Sequence, residues 1–372
     1  MRVPFNVLRP QYLKYKKEYD QAVLEALNSG WYILGDKTNS FEKEFSEYVG
    51  VKYCVGLNSG LDALILAFKA LNISKGDEVI VPANTYIASV LGVTENGATP
   101  VFIEPDEYYN MNPLEIEKAI TERTKAILPV HLYGQPAKME EIMTIAEKHK
   151  LFVVEDCAQA HGATINRRNI GTFGTINCFS FFPTKNLGAF GDAGAIVTNN
   201  EEFAGKVRLL RNYGSVRKYD HEIEGVNSRL DEIQAALLSV KLKHIKELEE
   251  ERRRVAEKYL NEITNPLIEL PKVKEGFTHV WHLFVVQCLE RDALQEYLAD
   301  VGVGTQIHYP VPPHLSGAYK RFGYKRSDFP ITEAYAQTIL SLPLYNGITE
   351  EETDYVVDRI NQFRTTDGAR FG

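Results

Sequence analysis

Between Val51 and Thr198, short apolar runs alternate with helical segments, an order that few folds accept. The apolar runs are YCVGL (53–57), EVIVP (78–82), TPVFIE (99–104), KAILPVH (125–131) and LFVVED (151–156), followed by Ile176 to Phe182 and Ala193 to Thr198. Segments near 61–71, 84–95, 113–121 and 138–149 carry helical spacing, and Asn112 before Pro113 makes a good cap and first turn. Apolar strands alternating with helices predict a mostly parallel sheet covered on both faces. In such sheets ligands bind beyond the carboxyl ends of the strands, so each strand's C-terminal loop is a candidate for chemistry.

The flanking regions add the rest of the layout. Residues 14–28 place Tyr19, Ala22, Val23, Ala26 and Leu27 on one helical face that Gly30 ends, and the aromatic stretch GWYILG (30–35) leads into a helix carrying Phe41, Phe45 and Tyr48. One long helix is expected from Ser228 to about Tyr259, with Ser228 and Asp231 as its start and EEERRR (249–254) as a solvated face. Beyond about Asn265 the pattern becomes short strands (281–289, 303–309) and helices (290–299, 332–340, 350–363), an α+β arrangement. With 372 residues, too many for one simple core, the expected division is a large domain over 1–245 and a small one over 246–372, bridged by the long helix. The last eight residues, TTDGARFG, have no periodicity and are expected to fray.

Composition excludes several classes. A net charge of −8 with dispersed Lys and Arg leaves no electrostatic footprint for nucleic acid or an anionic membrane. No apolar run reaches the roughly 18 residues of a membrane span, and MRVPFNVLRP lacks the continuous apolar core of a signal peptide. Cys54, Cys157, Cys178 and Cys288 are far apart, which reads as buried thiols in a reducing cytoplasm. His308 and His314 have no acidic or thiol partner at ligand spacing, so no metal site is expected.

Four strand-end loops carry unusual residues. Lys185 sits in a turn between two buried strands, among Gly188, Gly191 and Gly194. A lysine ordinarily belongs on a solvated face, but an amine at the edge of a buried sheet loses hydration, gains neutral character and becomes a candidate Schiff-base former. Ser180 lies five residues before it as a possible phosphate ligand. Asn58 to Leu64 turns directly into a helix, where the Gly60 and Leu61 amides are unpaired first-turn donors; alone, this is also a plain helix start capped by Ser59. Tyr86 in the third loop suits either stacking on a flat ring or core packing. Glu155 and Asp156 end an apolar strand, where a carboxylate is costly without a cation or donor. A pyridinium N–H would serve, and so would an arginine or a helix cap. In order, these parts supply what a pyridoxal phosphate site needs.

The same residues resemble the DegT/DnrJ/EryC1/StrS family of sugar aminotransferases, of pyridoxal phosphate fold type I, nearly end to end. The resemblance rests on GWYILG, NSGLDAL, PANTY, HLYGQP (131–136), EDCAQAHGA, FSFFPTKNLGAFGDAGA, RNYG (211–214), NSRLDEIQAA (227–236) and IHYP (307–310). It implies that Lys185 carries the cofactor, Asp156 faces the pyridine nitrogen, Gln159 the ring hydroxyl and Tyr86 the ring face. Ser180 and the Ser59-Gly60-Leu61 start would hold the phosphate, and Asn227 would reach it from the neighbouring subunit of a homodimer. Many relatives have Thr where this chain has Leu61, so one hydroxyl contact is missing. Trp31, Tyr32, Tyr213, His308 and Tyr309 are the candidates for the nucleotide sugar, with His314 a lesser one.

Within the family, K-N-L-G-x-x-G-D-x-G-A is similar to enzymes that aminate C3, and K-x-I-T-T-G-E-G-G to those that aminate C4. Lys185-Asn186-Leu187-Gly188 and Gly191-Asp192-Ala193-Gly194-Ala195 match the first. The resemblance therefore implies transfer from L-glutamate to a dTDP-3-keto-6-deoxyhexose. C4 amination, a UDP-linked 3-keto uronic acid, for whose carboxylate the sequence offers no assigned cation, and a non-catalytic sensor are the alternatives.

Overall fold

The computed structural model describes residues 1–364; the expectation for TTDGARFG lies outside them. Seven strands form one sheet: β1 (Tyr53–Leu57), β2 (Glu78–Pro82), β3 (Thr99–Ile103), β4 (Thr124–Ile127), β5 (Phe152–Asp156), β6 (Ile176–Ser180) and β7 (Gly194–Thr198). Their order is β1-β7-β6-β5-β4-β2-β3, and only β7 runs against the rest. This is the mostly parallel sheet expected from the alternating pattern.

Helices cover both faces. In chain order they are α1 (Lys16–Asn28), α2 (Asp36–Val49), α3 (Gly60–Ala70), α4 (Ile87–Thr94), α5 (Pro113–Ala119), α6 (Met139–His149) and α7 (Glu201–Leu210). Successive strand side chains point to opposite faces, so Val79 and Val81 join one core with Leu64, Phe68 and Val154, while Ile80 joins another with Ile116, Ile142 and Val153. Asn112 caps α5 as expected, its side chain accepting from the Leu114 amide.

The expected helix over 228–259 is two helices, α8 (Glu232–Lys243) and α9 (Ile245–Glu262). The break is at His244, whose ring stacks on Tyr15 at 3.9 Å and whose Nε2 meets Glu18 at 3.0 Å. Ser228 is not part of a helix start: its hydroxyl donates to Asp62 Oδ2 at 2.6 Å and receives the Asn58 amide at 3.2 Å. Two strands end early for a chemical reason. Pro129 stops β4 before His131, although Leu128 still donates to Ile80 at 2.8 Å. Pro183 follows β6, which ends at Ser180 rather than Phe182.

In the C-terminal region, β8 (Phe284–Gln287) pairs antiparallel with β9 (Ile339–Leu342). Around them α9, α10 (Arg291–Asp300), α11 (Pro330–Thr338) and α12 (Glu350–Gln362) assemble, and Tyr259, Phe284, Leu340, Val356 and Ile360 form a core. β9 begins where the sequence pattern extends the helix over 332–340, which ends instead at Thr338. The segment 303–309 is no strand: Val303 makes an isolated bridge to Val3 and Gln306 one to Ser341 of β9. No described helix is long and apolar enough to cross a membrane.

Candidate active site

The topology brings one end of each central strand to a common edge. The C-termini of β1, β2, β4, β5 and β6 open there, as does the N-terminal end of the reversed strand β7. A cavity of about 690 Å³ lies at this edge. Its walls include Ser59, Gly60, Leu61, Tyr86, Asp156, Gln159, Ser180, Lys185, His308 and Tyr309 from the sequence candidates.

Lys185 stands on a braced turn. Its amide donates to the Phe182 carbonyl at 2.8 Å, Asn186 Nδ2 donates to the Val280 carbonyl at 2.8 Å, and the buried Lys241 donates to the Gly188 carbonyl at 3.2 Å. Lys185 is half-buried and opens on the cavity, and loss of hydration pulls its pKa down to about 8, against the opposing attraction of Asp156.

Asp156 ends β5 and is buried. Burial pushes its carboxyl up, while the Ser89 hydroxyl, the Ala158 amide and the charge of Lys185 pull the other way without cancelling the rise. Ser89 donates to Oδ2 at 2.8 Å, and the Ala158 amide to Oδ1 at 3.2 Å. The neighbouring Glu155 has a different task, as alternation along a strand requires. It receives the amides of Gly171, Phe173 and Gly174 at 2.7–2.9 Å and meets His131 Nε2 at 2.9 Å. Burial opposes its ionisation, but these donors outweigh burial and its pKa falls. His131 and Glu155, with Cys157 beside them, are thus a hydrogen-bonded strut behind the site: His131 Nδ1 accepts from the Ala137 amide at 3.0 Å, which leaves Nε2 to donate to Glu155.

The first turn of α3 faces Ser180. Ser59 caps this helix by accepting from the Asp62 amide, and the amides of Gly60 and Leu61 have no acceptor within the helix. The approach is close. A Cβ at Gly60 would lie 2.5 Å from Ser180 Cβ, and one at Gly194 would lie 2.3 Å from the Ser59 carbonyl carbon. Two hydroxyls and two amides therefore form a small anion cradle at a helix N-terminus.

Across the cavity, Gln159 receives the Tyr133 amide at 2.7 Å and donates to the Tyr309 hydroxyl at 3.1 Å. The Tyr86 and Tyr309 rings lie 5.1 Å apart. His308 Nδ1 meets Ser341 Oγ at 2.8 Å; burial, then the charge of Lys185, lowers its pKa to about 4, so the ring is neutral.

Other sequence candidates lie elsewhere. Trp31, Tyr32 and Tyr213 are exposed and do not line this chain's cavity; Trp31 donates its indole N–H to the Ile33 carbonyl at 2.7 Å. Asn227 is also exposed and outside it. His314 does not fit a sugar contact: it is buried beside Phe102 and Phe329, with Nε2 3.2 Å from Glu333. Conversely, Phe5, Asn6, Ser89, Phe182, Thr184 and His282 line the cavity without having been singled out. Of these, Phe182 and Thr184 fall within the FSFFPTKNLG stretch, and Ser89 lies one helical turn after Tyr86.

This is the edge of a doubly covered α/β sheet with a lysine, a buried carboxylate and an anion cradle in one cavity. Residues 14–361 match the model of the DegT/DnrJ/EryC1/StrS aminotransferase family, and the chain belongs to that family. It is 51% identical over 362 residues to a dTDP-3-amino-3,6-dideoxy-alpha-D-galactopyranose transaminase of Aneurinibacillus thermoaerophilus, covering 97% of this chain and 99% of that protein. Among solved structures, Streptomyces venezuelae DesV in complex with a ketimine intermediate superimposes with a TM-score of 0.95 at 47% identity, over 97% of this chain and 98% of that one. Bacillus subtilis NtdA with bound cofactor PMP gives 0.91 at 34%, over 96% and 84%.

Proposed function

We propose that this chain is a pyridoxal 5′-phosphate-dependent aminotransferase that moves the amino group of L-glutamate to C3 of a dTDP-3-keto-6-deoxyhexose. The products are 2-oxoglutarate and a dTDP-3-amino-3,6-dideoxyhexose. The observation that carries this reading is the pairing in one cavity of a lysine depressed to about 8 with a buried carboxylate at a strand end.

The residues present fit the cofactor. The cradle of Ser59, Gly60, Leu61 and Ser180 suits a phosphate, and the backbone amides answer for the hydroxyl that Leu61 lacks. Tyr86 is exposed and can cover a ring, and Gln159, one Nε2 hydrogen of which goes to Tyr309, has the other for the ring hydroxyl. Asp156, ionised opposite the ring nitrogen, would hold a proton there. Bound in this way, pyridoxal phosphate supplies an aldehyde for the amine and a protonated ring that takes up negative charge from carbon. Lys185 Nζ would then have two duties: it would anchor the group at rest and, once displaced, would carry a proton from the donor's Cα to the cofactor's carbonyl carbon, and in the second half-reaction from that carbon to C3 of the sugar. Withdrawal of water from the amine keeps its neutral form populated near neutral pH.

For the acceptor, we assign His308 and Tyr309. Among the described residues that line the cavity, Lys185 is the single lysine or arginine. A sugar carboxylate would need another, which this chain's own wall does not supply. The activity of the Aneurinibacillus thermoaerophilus relative supports the same substrate class. Asn227, Trp31, Tyr32 and Tyr213 point to a homodimer with shared sites, because they are exposed and outside their own chain's cavity. Four buried free thiols support a cytoplasmic setting.

The test is to incubate the holoenzyme with L-glutamate and separate 3-keto and 4-keto dTDP-6-deoxyhexoses, following amino sugar and 2-oxoglutarate by mass spectrometry. Amination of the 3-keto sugar is expected. Amination of the 4-keto sugar alone, or of neither, overturns the assignment.

A further inference from the structure

The HLYGQP stretch (131–136) supplies none of the groups assigned to chemistry above. Tyr133 within it is nonetheless held tightly beside the cavity. Its backbone is left-handed, with φ 60° and ψ −4°, a conformation that an aromatic residue keeps only where its surroundings hold it. It is 2% exposed, and its ring packs edge-on against Tyr109 at 5.3 Å.

Three contacts fix it. The Tyr133 amide donates to Gln159 Oε1 at 2.7 Å, its carbonyl receives the Leu283 amide at 3.1 Å, and its hydroxyl donates to the His308 carbonyl. Burial holds that hydroxyl protonated, as a donor must be. Gln159 Nε2 in turn donates to the Tyr309 hydroxyl at 3.1 Å. The bonds close a ring: Tyr133, Gln159, Tyr309, His308 and back to Tyr133.

That ring stabilises a segment with little structure of its own. Residues 306–309 form no helix or strand, yet Gln306, His308 and Tyr309 all line the cavity. On its other side the segment is held by β9, through backbone bonds between Gln306 and Ser341 at 2.8 and 3.2 Å and through His308 Nδ1 to Ser341 Oγ at 2.8 Å. The next residue, Gly134, presses on 280–283: a Cβ there would lie 2.9 Å from the His282 amide nitrogen.

We propose that Tyr133 is a positioning residue: its hydroxyl fixes the 306–309 wall and thereby sets affinity for the acceptor sugar. The sugar part rests on the function proposed above; the wall part does not.

Tyr133→Phe keeps the ring and the backbone geometry and removes one donor. The KM for the acceptor should rise about three- to tenfold, the scale of one lost hydrogen bond. The KM for the amino donor, and the rate of the cofactor's spectral change with donor alone, should stay within about twofold, because Gln159 is held by the Tyr133 amide and not its hydroxyl. Without any substrate, amide exchange across 306–309 should accelerate while exchange across 152–156 does not. Tyr133→Phe combined with Tyr309→Phe should cost less than the product of the two single effects, since both act on one segment. Equal loss in both half-reactions, or unchanged acceptor KM and exchange, overturns the proposal. Should Tyr133→Phe fail to fold, Ser341→Ala frees the same segment from its other side. It should give the same selective rise in acceptor KM, and an unselective loss overturns the proposal. A wild-type enzyme that aminates no keto sugar defeats the proposed function, while the exchange comparison still decides the wall.

Discussion

The Ser89 hydroxyl donates to Asp156 Oδ2 at 2.8 Å, a bond from the first turn of α4 to the last residue of β5. It is the side-chain hydrogen bond that Asp156 receives among the described residues, and it counters the rise that burial imposes on the carboxyl. Ser89→Ala should therefore raise the Asp156 pKa further and weaken its hold on a protonated ring nitrogen. A lost bond to a charged group costs about 1.5–3 kcal/mol, so cofactor affinity should fall at least about tenfold. Titration of the apoenzyme with pyridoxal phosphate, read by absorbance, checks this. Unchanged affinity would remove Ser89 from the account.

Adjacent carboxylates should fail in different ways. Glu155 receives three amides and faces His131, so Glu155→Gln leaves buried donors facing an amide and should cost about 3 kcal/mol of stability. Asp156→Asn should leave the melting temperature nearly unchanged and lower turnover by at least about a hundredfold, because the ring nitrogen loses its anionic partner. Thermal melts and steady-state kinetics of the pair decide the matter. The reverse pattern would exchange the roles.

A lysine that titrates at about 8 instead of 10.5 has a defined pH signature. Its neutral form is the minority below pH 8 and the majority above. Attachment of pyridoxal phosphate to the apoenzyme should accelerate through about pH 8 and then level off. Between about 8 and 10.5 the unfolded chain binds a proton at Lys185 that the native protein does not. This group's contribution to stability therefore rises with pH across that window, and its penalty is fully present below it. Lys185→Met should abolish that part of the slope. An attachment midpoint near 10.5 would show an amine exposed to water.

Gly60 lets α3 approach β6. Gly60→Ala places a methyl 2.5 Å from Ser180 Cβ and 3.0 Å from its Cα, and backbone gives way poorly. Overpacking of this kind costs about 1–3 kcal/mol, and it should widen the anion cradle as well. Both a lower melting temperature and weaker binding of pyridoxal phosphate are expected, with inorganic phosphate no longer competing effectively. Full cofactor affinity in this variant would place the phosphate elsewhere.

Most of the sheet was legible because buried parallel strands are unbroken apolar runs, and here they are punctuated by Gly, Pro and Asn. The break at His244 was not, since Leu237, Val240, His244 and Leu248 keep helical spacing straight through it; Tyr15 and Glu18, distant in sequence, make the break. β9 was hidden because ILSL continues the apolar spacing of α11, and only pairing with β8 makes it a strand. In the site, Lys185 and Asp156 stood out as charges set against apolar strands. Ser89, Asn6, His282 and the hydroxyl of Tyr133 did not, because each acts through a contact that exists only after folding. Trp31, Tyr32 and Tyr213 stand out in the sequence as aromatic residues in loops, and exposure is what they share.

The central claim is that Lys185 is the amine that carries the cofactor and that L-glutamate discharges it. The visible absorption spectrum of the holoenzyme, before and after addition of L-glutamate, tests this most directly. The account predicts a band near the visible edge that gives way to a near-ultraviolet band with glutamate, and no such lysine-linked band in Lys185→Ala supplied with the same cofactor. A wild-type protein that stays colourless with pyridoxal phosphate, or a Lys185→Ala variant whose spectrum matches the wild type, would contradict it.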